Sequence, residues 1–178
     1  MSINELSYLD EIHKLSVRCS KYSINQRSDA VGQTRKLEGI VMFDSEGVVK
    51  PDRSIVMVDL YSLNSDSSRR DRFLRVNTLN TNEFPISEVS ITKVHGLHWP
   101  LPTSGHVGFD IVSDVKIHGV TREITWMAEF HITNGIISGI AKTSFTFGSF
   151  MDIPRVFIVL SVEDRIRLEL DFKKSVIN

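Results

Sequence analysis

His95, His98 and His106 fall close together in the sequence beside Trp99, and imidazoles at short spacing are the first place to look for a metal. A structural or catalytic ion takes three or four His, Cys or carboxylate ligands at set intervals. Here the three histidines surround a stretch with Pro100, Pro102 and Gly105, no cysteine or paired carboxylate completes a set, and the spacing matches no metal motif. They are expected to be solvated loop histidines, with no metal bound. A second constellation, Asp66, Arg70 and Asp71, would interest anyone seeking an enzyme. Its plainer meaning is a capped helix whose acids and arginines tie it to the rim of the fold. Nucleophilic chemistry has less support. There is no Gly-x-Ser-x-Gly, and Cys19 sits in an alternating, strand-like run without an evident His and acid beside it. Neither a Walker loop nor Gly-x-Gly-x-x-Gly occurs. No catalytic residue is therefore assigned.

The elements that would position these groups read as strands. Ser113 to Phe130 organises the chain: alternation up to Ile117, then His118-Gly119-Val120-Thr121-Arg122, then alternation from Ile124 to Phe130. This predicts two half-buried strands joined by a turn in which Gly119 takes a positive φ and His118 hydrogen-bonds the backbone or a neighbouring loop. Ile124, Trp126, Ala128 and Phe130 share one uncharged face; Thr125, Met127, Glu129 and His131 share the other. Strands are also expected at Leu15–Cys19, Leu37–Phe43 (with Gly39 at a bulge or sharp coil), Ser54–Leu60, Ser87–Val94, Val107–Ile117, Ile136–Phe147 and Arg165–Phe172. Tyr22–Asp29, Leu97–Gly105 and Phe150–Pro154 read as loops, and Asp44-Ser45-Glu46-Gly47 as a hairpin turn. One short helix is expected over Ser67–Val76, followed by a loop through Asn80–Pro85.

Roughly eight strands without βαβ alternation predict an antiparallel sheet that closes into a barrel, a two-sheet sandwich being the alternative. The 178 residues are read as a single domain over 1–178, with 1–13 as a variable N-terminal segment. Hydrophobic residues at 41% and charged ones at 24% are ordinary globular usage. A net charge of −1 with scattered basic residues gives nucleic acid no footprint, and the cluster Arg69-Arg70-Asp71-Arg72 with Arg75 is broken by an acid. One cysteine excludes an internal disulfide. No run approaches the roughly 20 apolar residues of a transmembrane segment. Nor does Met1–Lys14 form a signal peptide, so the expected location is cytoplasmic, or periplasmic or secreted if a signal has been removed. The residues themselves thus lead to a barrel with a greasy inner face, which either fills itself or holds an apolar ligand.

The segments together resemble the YceI-like family of polyisoprenoid- and lipid-binding barrels, across nearly the whole chain. The family motif Gly-Asp-Leu-Thr-Ile-His-Gly-Val-Thr-Arg is matched by Ser113-Asp114-Val115-Lys116-Ile117-His118-Gly119-Val120-Thr121-Arg122. Its Arg-Arg-Asp-x-x-Leu region is similar to Ser65 through Leu74, its aromatic-Pro step to Phe84-Pro85. Further matches are Ala30–Thr34, Leu37-Glu38-Gly39 and Thr146–Phe150. Ser113, Val115 and Lys116 depart from the family's Gly, Leu and Thr. The resemblance implies an extended eight-stranded antiparallel, lipocalin-like β-barrel with one short inserted helix. It also implies a non-catalytic protein that binds, stores or transports a long-chain amphiphile, such as an isoprenoid quinone or fatty-acid derivative, in its bore. No catalytic cofactor is implied, and polar groups at the mouth would fix the head group. Strand alternation then assigns a lining of Val56, Val58, Leu60, Val89, Ile91 and Phe109, continued by Ile111, Trp126, Phe130, Phe145 and Phe147. Phe73 and Leu74 on the helix would cap one end. The expected partner is a hydrophobic small-molecule lipid. A homodimer is open to it, since a second copy can cover an exposed mouth or edge. An enzyme using the barrel as its pocket and a filled-core interaction module remain the alternatives.

Overall fold

The structure, a computed structural model, describes residues 6–8, 12–23, 26–134, 136–151 and 161–175, with side chains for residues 31–134, 136–151 and 165–172. Among the described residues ten strands form one antiparallel sheet. They are β1 (Leu6–Tyr8), β2 (Ile12–Ser23), β3 (Gln26–Thr34), β4 (Leu37–Phe43), β5 (Ile55–Asp59), β6 (Ile86–His95), β7 (Gly105–Ile117), β8 (Val120–Thr133), β9 (Ile136–Thr146) and β10 (Ser161–Ser175). Their order across the sheet is β1-β4-β5-β6-β7-β8-β9-β10-β2-β3. The sheet curls into a half-barrel. β2 comes to lie against β4, and Gln33 of β3 exchanges backbone hydrogen bonds of 2.7 and 2.9 Å with Asn64.

The polar stretch Tyr22–Asp29, expected as a loop, instead lies mostly in a hairpin. Leu15 to Ser23 of β2 pairs in unbroken register with Thr34 to Gln26 of β3. Backbone pairing in a large sheet overrides weak β-propensity, so composition alone misplaces such a strand. The register at Gly39 runs without a bulge; a register shift in β6, between Ile91 and Lys93, returns Val94 to the core side. Met151 is the last described residue of the segment expected to break after Phe150; Pro154 lies outside the described residues.

The central hairpin is tighter than expected. His118 (φ 53°) and Gly119 (φ 77°) alone form the turn, a two-residue connection whose left-handed backbone matches the twist of β7 and β8. The His118 imidazole stacks on Phe84, ring centroids 4.4 Å apart, which ties the hairpin tip to the loop before β6.

Between β5 and β6 lies the insert. Ser67 caps helix α1 (Ser68–Phe73), its hydroxyl accepting from Arg70 N at 3.4 Å. The chain then widens into a π turn over Leu74–Thr78, so α1 ends short of the expected Val76. Asp71 is buried, and its carboxylate accepts from Ser65 N and, at 2.6 Å, from Ser65 Oγ. Arg70 bridges outward to Asp66 at 2.7 Å. Leu60, expected at the end of a strand, starts a short helical turn capped by Asp59. Leu60, Leu63 and Leu79 carry the insert's apolar surface into the core.

Candidate ligand-binding site

Alternation puts one side chain in two on the concave face of the sheet. On β8, Trp126, Ala128 and Ile132 are buried and Ile124 and Phe130 half-buried, whereas Thr125, Met127, Glu129 and His131 are exposed. β7 repeats the pattern with Phe109, Ser113, Val115 and Ile117, β9 with Ile137, Ala141 and Thr143, and β10 with Ile166, Leu168 and Phe172. The result is a continuous apolar surface reaching from β5 to β10 and closed at one end by the insert.

The residues expected to line a bore stand on this surface. Val56, Val58, Leu60, Ile91, Phe109 and Trp126 are buried; Val89, Ile111, Phe130, Phe145 and Phe147 are half-buried and pack on the same cluster. Phe73 and Leu74 are half-buried on the insert, while the contacts into the core come from Leu63 and Leu79, which sequence patterning missed. Phe150, read as part of a break, is 2% exposed and stands edge-on to Phe145 at 5.1 Å. A ladder of rings crosses the other end: Phe109 meets Phe130 and Phe130 meets Phe172, each pair 4.4 Å apart and edge-to-face. The crossing depends on Gly139, where an added Cβ would collide with Glu129 O and lie 2.8 Å from the Phe130 ring.

Polar groups on this surface are satisfied within it. Ser113, fully buried, accepts from Trp126 Nε1 at 2.8 Å and donates to Ile124 O at 3.4 Å. Thus the serine that departs from the family glycine is the acceptor of the indole N–H in an apolar setting. Thr143 donates to Thr125 O at 2.7 Å and Ser87 to Lys116 O at 3.0 Å. Asp71, the one buried carboxylate among the described residues, is engaged by Ser65.

Arg75, on the insert, is half-buried. It donates through Nη2 to Leu63 O at 2.9 Å and lies over the Tyr61 ring, 4.8 Å from its centroid, while its buried Nε has no acceptor among the described residues. Arg70 and Asp66 form the outward pair at the helix that Ser67 caps, and Asp71 tethers Ser65 to it. Of the histidines, His95 ends β6 and His98 lies in the loop; His106, expected in that loop, belongs to β7 and faces His131. Among the described residues no helix is long and apolar enough to cross a membrane.

The model of the YceI-like domain matches residues 12–174. Solved structures share the fold. The Burkholderia cenocepacia protein BcnA superposes with a TM-score of 0.66 at 10% identity, over 90% of this chain and 96% of its own. A polyisoprenoid-binding domain from Saccharophagus degradans, implicated in plant cell wall breakdown, gives 0.67 at 10% identity over 96% and 98%. The YceI protein of Campylobacter jejuni gives 0.67 at 15% identity over 89% and 91%. No curated protein sequence matches the chain. The match of the domain model over nearly the full length, on a curled antiparallel sheet with this inserted helix, places the chain in the YceI-like domain family.

Proposed function

We propose that the protein is a non-catalytic binder that stores or carries a long-chain amphiphile, an isoprenoid lipid such as a quinone or a fatty-acid derivative, along its concave face. The observation that carries this is the unbroken apolar surface from β5 to β10, whose buried polar groups are consumed internally. Each square ångström of hydrocarbon covered there is worth about 25 cal/mol, so a long chain binds without directed contacts. The polyisoprenoid binding of the Saccharophagus domain supports the same ligand class. Arg75, with its unengaged Nε beside Leu63, is the anchor for an oxygen-bearing head group. A second copy of the chain would add at the outer strands β1 and β3, and sedimentation of the purified protein tests for it.

The test is Ile111→Asp. Ile111 lies on β7 opposite Trp126, at the meeting of two core clusters. A carboxylate there should abolish uptake of a fluorescent fatty acid while the far-UV spectrum stays that of a β protein. Unchanged uptake by the folded variant would place the ligand elsewhere.

A further inference from the structure

The outer face of the sheet carries a polar cluster unrelated to the apolar surface. His106 on β7 and His131 on β8 are direct cross-strand partners. Residues so paired project side by side from one face, and the two imidazoles meet with ring centroids 4.4 Å apart. His131 Nδ1 lies 3.0 Å from His106 Nε2, and Thr133 Oγ1 lies 2.8 Å from His131 Nε2. Both rings are exposed and border a groove of about 420 Å³ that also includes Glu129 and Asp171.

We propose that His106 and His131 form a chelating site for a divalent transition-metal ion, with Cu²⁺ preferred over Ni²⁺ and Zn²⁺. The two nitrogens stand 3.0 Å apart and share one proton in a hydrogen bond, which an ion held by both lone pairs would replace. Two nitrogens each ~2.0–2.1 Å from a metal lie about 2.9–3.3 Å apart between a right and a tetrahedral angle, so the pair needs little rearrangement to chelate. The affinity order of divalent metals, which peaks at Cu²⁺, sets the preference. Thr133 gives the outer support metal-bound histidines ordinarily have: in the tautomer in which its Oγ1 accepts from His131 Nε2–H, the His131 Nδ1 lone pair is turned toward His106 and would pass from that hydrogen bond to the ion. Glu129 on β8 and Asp171 on β10 flank Ile140 of β9 from either side and line the groove. No third His, Cys, Asp or Glu converges on the pair among the described residues, so the remaining coordination positions are open to water or to an incoming ligand. The site stands on the outer face whether or not the concave face holds lipid. Sequence spacing hid it because the two histidines come together only through the β7–β8 register.

The test uses the full chain and the chloride salts of Cu²⁺, Ni²⁺ and Zn²⁺ in a non-coordinating buffer, about one unit above the ordinary imidazole pKa of ~6.5. Titration calorimetry should show saturable binding, tightest for Cu²⁺. His106→Ala and His131→Ala should each weaken it by at least about tenfold, the double variant should do little more, and His95→Ala with His98→Ala should leave it unchanged. The electron paramagnetic resonance spectrum of the Cu²⁺-loaded wild type, which needs no variant, should be axial with coupling to two ring nitrogens. Binding that survives either single replacement, binding lost with His95 and His98, or a spectrum with fewer than two coupled nitrogens would overturn the proposal.

Discussion

Removing the Ser113 hydroxyl should loosen the largest side chain of the concave face. Ser113 is 0% and Trp126 5% exposed, so no water can replace Oγ as acceptor for the indole N–H without opening the sheet. In Ser113→Ala the 2.8 Å bond is lost and a buried donor is left without a partner. The bond itself contributes about 1 kcal/mol net, and stranding a buried donor costs about 1–3 kcal/mol, so the variant should lose ~2 kcal/mol of stability. For a chain of this length that corresponds to a fall in Tm of about 4–8 °C. Urea and thermal unfolding followed by far-UV circular dichroism read it directly, provided the unfolding slope is unchanged. A double-mutant cycle isolates the cause: in a Trp126→Phe background the donor is gone, and Ser113→Ala should cost less by about 1 kcal/mol or more. A loss within ~0.5 kcal/mol of zero, or equal losses in the two backgrounds, would refute the coupling.

Gly139→Ala should destabilise by about 2 kcal/mol or more, because the new methyl meets backbone at Glu129 O and two aromatic rings that cannot all retreat; denaturant unfolding checks it. Asp71→Ala strands Ser65 N and Oγ and should cost ~2 kcal/mol, together with faster proteolytic nicking within 60–85 than in wild type. Arg75→Gln should weaken binding of a long-chain fatty acid about tenfold or more, the scale of one hydrogen bond to a charged group. The same change should leave the methyl ester nearly unaffected in a displacement titration; equal loss for acid and ester would remove Arg75 as the head-group anchor.

The sequence made the concave face legible wherever strands alternate cleanly. Ile124, Trp126, Ala128 and Phe130 lie where their period of two puts them, and His118-Gly119 turns where a left-handed pair is required. Contacts that depend on strand register or on the path of an insert were not legible. Nothing local to Ser113 says that its hydroxyl reaches Trp126, since the pair is made by neighbouring positions across β7 and β8. Leu63 and Leu79 lack strand periodicity and enter the core from an insert in which Asp71 and Ser65 are bonded to each other. The register shift before Lys93 changes the facing of β6, bringing Val94 inward. The polar hairpin of β2 and β3 is held by pairing with β10, a contact across most of the chain's length.

The most direct test of the binding claim is native mass spectrometry of freshly purified full-length protein, followed by organic extraction and by titration with a fluorescent fatty acid and a quinone analogue. A co-purifying lipid released on denaturation, or saturable uptake of one probe by the emptied protein that Ile111→Asp abolishes, is the predicted result. A protein that carries no lipid and takes up neither probe would mean that the concave face is packed shut by its own side chains, and would contradict the account.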